Sequence, residues 1–107
     1  MSRKLKVYVA GPYSNGDVAQ NVANAIKAGD ELLEAGHIPF VPHLTHFWEM
    51  QHSHEWGEWL DYDIEWLKEC DILLRLPGKS TGAEIEMQVA LAHGIPICYS
   101  VREVEGF

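Results

Sequence analysis

Four short apolar runs, separated by stretches of helical period, constrain the fold of this 107-residue chain most strongly. The runs are Leu5–Ala10, Ile38–Val41, Asp71–Leu74 and Ile95–Tyr99. Short apolar runs bounded by glycine and proline are typical of buried strands. Strands that alternate with helices are joined by right-handed crossovers and form a parallel sheet with helices on both faces. We therefore predict a three-layer α/β/α, flavodoxin-like (Rossmann-like) fold with a parallel sheet of four to five strands.

Three helices are predicted from the periodicity and from their end signals. The first follows Asp17, which can cap it, and Gly36 ends it. Its periodic apolar residues are Val18, Val22, Ile26, Gly29 and Leu33. The second spans Glu55–Glu69, and the third spans Gly82–His93. The segment Leu44–His54 has no clear period, so we predict a long loop there, with room for one helical turn.

Length and composition indicate a single domain over residues 1–107. The formal net charge of −8 argues against nonspecific nucleic-acid binding, which needs a basic surface. No apolar run is long enough for a membrane span, and Met1–Lys6 leads directly into the first strand without a signal peptide. We therefore expect a cytoplasmic protein. Cys70 and Cys98 lie in apolar surroundings, and we expect both to be buried and reduced.

The segment Ser80–Glu86 carries the clearest functional signal. Ligands of open parallel sheets bind beyond the carboxyl ends of the strands, where this segment begins a helix. Gly82 lets a ligand approach the backbone, and the first helical N–H groups point toward it. Glu86 shares a helix face with Ala83 and Ala90, whose small side chains leave room for a ligand. The alternative is a solvated glutamate without function. The apolar residues expected to pack on the sheet are Ile85, Val89 and Ala92.

Asp63 is a second unusual carboxylate, because it interrupts a helical stripe of tryptophans. The stripe consists of Trp56, Trp59 and Trp66. A carboxyl group among aromatic rings loses hydration, which raises its pKa and suits it to donate a proton. The alternative is a partly exposed stripe on which Asp63 is solvated.

Histidines and tyrosines near the first two loops are further candidates. The spacings of His43, His46, His52 and His54 fit no established metal site, so we expect no bound metal. A single histidine at the pocket, His43 after the second strand, is expected to form hydrogen bonds. Tyr8 and Tyr13 flank the first glycine loop, which begins at Gly11, and either tyrosine could be a core residue. Tyr13 could equally stack on a base.

Three segments together resemble the nucleoside 2-deoxyribosyltransferase superfamily, which also contains 2'-deoxynucleoside 5'-monophosphate N-glycosidases. They are Tyr8–Pro12, Asp63–Asp71, and Ser80–Glu86 followed by Ala90. The similarity is greatest to small phage and bacterial members. It implies cleavage of the N-glycosidic bond of a nucleoside or nucleotide, by hydrolysis or by transfer to another base. That chemistry requires no metal or redox cofactor.

The resemblance also implies residue roles. Glu86 would be the nucleophile, Asp63 would hold or protonate the substrate, and Tyr8 would position Glu86. Ser80 would contact the 5' end of the substrate, and His43 would lie near the base or sugar. Further substrate-binding residues would be Gly11, Tyr13 and Gly82.

Two departures from the monophosphate glycosidases bear on the substrate. Ser14 or Asn15 stands where those enzymes have an arginine, and Glu84 stands where they have a second glycine. Both changes remove features that favour a phosphate. The transferases complete their pockets with later residues from a neighbouring subunit, which have no evident match here. Together with the four tryptophans, the resemblance favours a homodimer or a higher homo-oligomer.

Two other functions stay open on the sequence. The same pocket could bind or sense a nucleotide without turnover, or the acidic, tryptophan-rich surface could serve as an interaction surface. Release of free base that depends on Glu86 would separate the enzyme from both alternatives.

Overall fold

A four-stranded parallel sheet forms the centre of the computed structural model, which describes residues 4–107. Its strands are β1 (Lys6–Ala10), β2 (Ile38–Phe40), β3 (Ile72–Arg75) and β4 (Ile97–Cys98), in the order β2-β1-β3-β4. β1 pairs with both β2 and β3, so that Tyr8 lies opposite Phe40 on one side and Leu73 on the other. The predicted three-layer, flavodoxin-like fold with a parallel sheet is confirmed, and the sheet has four strands.

Within the described residues, five α-helices accompany the sheet: α1 (Val18–Glu34), α2 (Thr45–Gln51), α3 (Trp56–Leu67), α4 (Thr81–Ala92) and α5 (Val101–Glu105). A short 3₁₀ turn, Pro42–Leu44, precedes α2. Alternate residues of β1 point to opposite faces, as the period of a strand requires. Val7 and Val9 pack with α1 and α5, whereas Tyr8 packs with α3 and α4. The side chain of Tyr8 is therefore directed to the layer that contains Asp63 and Glu86.

The segment predicted as a long loop is largely helical, which corrects that prediction. The 3₁₀ turn and α2 occupy most of it, and Thr45 Oγ1 donates a hydrogen bond of 2.8 Å to the carbonyl of Pro42. None of the α2 residues is buried. A helix without a buried face shows no periodic pattern of apolar residues, so the sequence could not reveal α2 by its periodicity.

Two further details of the helices differ from the prediction. The buried face of α1 includes Val22 and Gly29 of the predicted stripe, but its other members are Ala25, Ala28 and Leu32, whereas Ile26 and Leu33 are exposed. Small residues let the helix lie close to the sheet, and hydrophobicity alone does not reveal that preference. α5 was not predicted, although its cap could be recognised: Ser100 Oγ accepts a hydrogen bond from the backbone N–H of Glu103.

Some expectations concern the chain as a whole. No helix within residues 4–107 has the length and apolar character that a membrane span needs. The predicted absence of a signal peptide rests on Met1–Lys6, of which residues 1–3 lie outside the described part. Both cysteines are free thiols; Cys98 is buried and Cys70 is half-buried.

We expect the protein to form at least a dimer in solution. Several large aromatic side chains are exposed, namely Phe47, Trp48, Trp56 and Trp66. A monomeric protein seldom leaves so much aromatic surface in water, because its burial against another subunit is favourable. Sedimentation velocity at micromolar concentration should show a dimer or larger species, and a monomer under those conditions would refute this expectation.

Candidate active site

A cleft of about 530 Å³ opens at the carboxyl ends of the strands. Its walls come from the loop after β1, the 3₁₀ turn, α2, α3 and the first turns of α4. The volume lies in the range that is typical of small-molecule sites. Among the residues predicted to form the site, seven line this cleft: Gly11, Tyr13, His43, Asp63, Ser80, Gly82 and Glu86. The eighth, Tyr8, lies beneath it in β1 and reaches the cleft through Glu86.

Glu86 is a buried carboxylic acid and not a solvated one. Only 6% of its surface is exposed, and its neighbours Ala83 and Ala90 on the same helix face are also buried. The expected packing of Ile85, Val89 and Ala92 on the sheet is correct for Val89, which packs against the core cluster that contains Tyr8 and Leu73. It is wrong for Ala92, which is exposed, and Ile85 is half-buried. The alanines let α4 approach the sheet closely, and the carboxyl group between them finds a polar partner there.

That partner is the hydroxyl of Tyr8, which donates a hydrogen bond to Glu86 Oε2. Tyr8 is fully buried, and burial together with the nearby Glu86 charge raises the pKa of its hydroxyl well above the ordinary value. Tyr8 therefore stays protonated and acts as a hydrogen-bond donor. Burial raises the pKa of Glu86 to about 7, while the Tyr8 hydrogen bond and the charge of Arg75 oppose that rise. A substantial share of Glu86 is therefore ionised at neutral pH.

Asp63 lies on α3 and lines the same cleft. Its Oδ1 atom is buried and has no hydrogen-bond partner within residues 4–107. Burial raises the pKa of Asp63 to about 8, and the negative charge of Glu86 acts in the same direction. The carboxyl group is thus mainly protonated at neutral pH, so it can donate a proton to a ligand in the cleft.

The two carboxyl groups have different environments, which separates their pKa values. Burial raises the pKa of both groups, but Tyr8 and Arg75 oppose that rise at Glu86, whereas the charge of Glu86 adds to it at Asp63. A pair of acids with such a separation can supply one nucleophile and one proton donor.

His43 lines the cleft and has one ring nitrogen without a hydrogen-bond partner among residues 4–107. It is 5% exposed, and its Nε2–H donates a hydrogen bond of 2.9 Å to the carbonyl of Pro12. Because a carbonyl only accepts, Nε2 carries the proton and Nδ1 is left with a lone pair. Nδ1 is buried and has no partner in the described part of the chain. Burial also lowers the pKa of His43, so the ring is neutral at pH 7 and can accept a hydrogen bond from a ligand.

Three other predicted site residues also make contacts that stabilise the fold. Tyr13 lines the cleft, and its hydroxyl lies 2.7 Å from His46 Nδ1, which joins the first loop to α2. Ser80 caps α4, since its Oγ accepts a hydrogen bond of 3.1 Å from the N–H of Ala83. A Cβ atom at Gly11 would lie 2.9 Å from Leu76 Cβ, so packing as well as ligand access requires glycine there.

The sequence did not single out Glu49, a third carboxylate of the cleft wall. Its oxygens accept hydrogen bonds from Trp59 Nε1 at 2.7 Å, from the backbone of His54 at 2.8 Å and from Ser53 Oγ at 2.7 Å. These bonds, led by that of Trp59, lower the pKa of Glu49 to about 2, so it remains ionised. Glu49 was missed because it lies on α2, where the sequence predicted a loop.

The cleft is polar but offers no metal centre and no cation among the described residues. Three or more potential ligands from His, Cys, Asp and Glu do not come together anywhere in residues 4–107. The lining residues of that part include carboxylates, hydroxyls, amides and tryptophans but neither lysine nor arginine.

The chain is similar to one protein family and to a solved enzyme structure. A family model described as a domain of unknown function (DUF7768) matches residues 5–100. The chain belongs to this family. A search of curated proteins finds no match. Among solved structures, this DUF7768 chain is similar to a 2-deoxyribosyltransferase from the psychrotolerant bacterium Bacillus psychrosaccharolyticus. The identity is 28%, over 86% of this chain and 69% of that chain, with a TM-score of 0.63. This similarity supports the predicted relationship of the chain to the 2-deoxyribosyltransferase superfamily.

Proposed function

We propose that this protein cleaves the N-glycosidic bond of a 2'-deoxynucleoside and that Glu86 is the nucleophile. One observation carries the proposal: the buried carboxyl group of Glu86 accepts a hydrogen bond from the fully buried Tyr8 and lines a cleft. The same cleft contains a second carboxyl group, that of Asp63, whose pKa is raised. The likeness to a 2-deoxyribosyltransferase supports it independently, because that enzyme is a transferase of the same fold.

The reaction proceeds in two steps, as in retaining glycosidases. The Glu86 carboxylate forms a bond to C1' of the sugar while the bond from C1' to the base nitrogen breaks. Asp63 donates its proton to the departing base, which therefore leaves without an unfavourable charge. The negative charge of Glu86 stabilises the oxocarbenium character of the transition state, and the hydrogen bond from Tyr8 holds the carboxylate in place.

The second step returns Glu86 to its starting state. The ionised Asp63 accepts a proton from the incoming acceptor, and the acceptor then replaces Glu86 at C1'. Water as acceptor yields free deoxyribose, whereas a second base yields a new deoxynucleoside. Product analysis with and without an added second base identifies the acceptor.

His43 and the helix start of α4 orient the substrate in this proposal. The free Nδ1 atom of His43 accepts a hydrogen bond from a sugar hydroxyl or an N–H of the base. Gly82 leaves space at the helix start, since a Cβ there would meet only the ring of Trp56, at 3.8 Å. A panel of nucleosides tested for base release, together with binding measurements, separates turnover from binding alone. Saturable binding without release would favour a sensing module over an enzyme.

The pH dependence of kcat/KM should be bell-shaped. Glu86 must be ionised to attack, so the rate falls as the pH drops through its pKa of about 7. Asp63 must be protonated to act as the acid, so the rate falls as the pH rises through its pKa of about 8. Asp63→Asn should remove the alkaline limb and keep the acidic limb. A profile that is flat from about pH 5 to pH 9 would contradict these roles.

We expect a 2'-deoxynucleoside to be a better substrate than its 5'-monophosphate. The described cleft lining offers a phosphate only uncharged donors, such as the hydroxyls of Ser14 and Thr81, the side-chain amide of Asn15 and backbone N–H groups. The ionised Glu49 adds repulsion, and Lys79 lies on the exposed loop outside the lining. A comparison of kcat/KM for the two compounds, with the ribonucleoside as a control for the 2' position, tests this. A roughly hundredfold preference for the monophosphate, about 2.7 kcal/mol, would contradict it.

A further inference from the structure

Arg75 is a buried cation whose role is not explained by the reaction itself. It is the last residue of β3, and only 9% of its side chain is exposed. An arginine is seldom buried unless its guanidinium has partners, because loss of hydration is costly. Its nearest hydrogen-bond partners are backbone carbonyls: Nη1 donates to Leu76 O, and Nη2 donates to Gly78 O at 2.9 Å.

Both carbonyls belong to the loop that joins β3 to α4, and this loop ends at Ser80, the cap of α4. Gly78 has a φ of +114°, and a Cβ atom there would lie 2.7 Å from Pro12 Cγ, so the turn packs tightly against the first loop. Pro12 in turn accepts the hydrogen bond of His43. The guanidinium therefore fixes a loop on which both the start of α4 and the wall near His43 depend.

The charge of Arg75 also acts on Glu86. Three groups from three elements interact with that carboxyl: Tyr8 of β1 donates a hydrogen bond, Asp63 of α3 lines the same cleft, and Arg75 of β3 supplies a positive charge. Glu84 Oε1 lies 3.4 Å from Arg75 Nη2, but this carboxylate is largely exposed and contributes little.

We propose that Arg75 is a positioning residue: its guanidinium holds the β3–α4 loop, so that α4 presents Glu86 to the cleft. The positive charge that is held there also favours the ionised form of Glu86. The catalytic consequence rests on the proposed function, whereas the effects on the loop and on the ionisation of Glu86 do not.

The test compares Arg75→Met and Arg75→Lys with the wild type, and Glu84→Gln serves as the matched control that keeps the guanidinium. Carbon NMR of labelled glutamate, assigned with Glu86→Gln, gives the titration midpoint of Glu86 whether or not the protein is active. Arg75→Met should raise that midpoint by about one pH unit, and the acidic limb of kcat/KM should move with it. Glu84→Gln should leave both unchanged.

Arg75→Lys separates the charge from the hydrogen-bond geometry. Lysine keeps the positive charge, so the titration midpoint of Glu86 should stay near that of the wild type. Its single ammonium group cannot reproduce the two directed hydrogen bonds of the planar guanidinium. Amide exchange at Gly78 and Ser80 should therefore become faster by about tenfold, and kcat should fall while KM changes little. A wild-type midpoint in folded Arg75→Met, or wild-type exchange in Arg75→Lys, overturns the proposal. If Arg75→Met does not fold, the exchange measurement decides alone.

Discussion

Replacement of Glu86 by glutamine is expected to abolish base release while the fold stays intact. Glutamine has the shape of the protonated acid but cannot form the bond to C1', so the rate should fall by at least about a thousandfold. The fold should tolerate the change, because the carboxyl group is already costly to ionise in its buried position. Glutamine can still accept the hydrogen bond of Tyr8 through its carbonyl oxygen.

Glu84→Gln is the matched control for this variant. Glu84 lies two residues earlier on α4, is exposed and does not line the cleft. The control should retain wild-type activity and circular dichroism. Activity of Glu86→Ala within about tenfold of the wild type would remove Glu86 as the nucleophile, because loss of a covalent step costs far more.

Asp63→Asn should lower turnover strongly without lowering stability. Loss of a general acid typically reduces the rate by about a hundredfold or more. The pKa of Asp63 rises to about 8 on burial, so at pH 7 the folded protein holds a proton that the unfolded chain releases. A raised carboxyl pKa makes stability fall as the pH increases from its ordinary value toward the folded one. Asparagine does not ionise, so the melting temperature at pH 7 should stay the same or increase.

Asp61→Asn is the control for this second variant, since Asp61 is exposed on the same helix two residues away. Turnover and melting temperature should be measured on the same preparations. A lower melting temperature of Asp63→Asn with full activity would show that Asp63 is a structural hydrogen-bond acceptor.

The sequence predicted those parts of the fold and cleft that depend on local signals. Ser80 caps the start of α4 with its side chain, and Gly36, with a φ of +92°, follows the end of α1. Each of these two helix ends therefore depends on a single residue that the sequence reveals. The two central strands, β1 and β3, follow from apolar runs that are buried on both faces of the sheet. Because parallel strands end at one edge, the loops after β1 and β3 lie together there, and this brought most of the predicted residues into one cleft.

Features that depend on tertiary contacts could not be predicted in the same way. α2 buries none of its residues, so it has no apolar period that the sequence could reveal. Glu49 is held in the cleft wall by hydrogen bonds from Trp59 of α3 and from Ser53 and His54, just before α3. The buried face of α4 is defined by Ala83, Glu86 and Ala90, although the more apolar residues lie beside them. The contact between Glu86 and Tyr8 joins residues 78 positions apart.

The role of Glu86 as the nucleophile is decided by release of free base from a panel of 2'-deoxynucleosides, measured side by side for the wild type, Glu86→Gln and Glu84→Gln. We expect release by the wild type and by Glu84→Gln, and loss of release in a folded Glu86→Gln protein. Equal release by all three proteins, or none by the wild type with any nucleoside or 5'-monophosphate in the panel, would contradict this role.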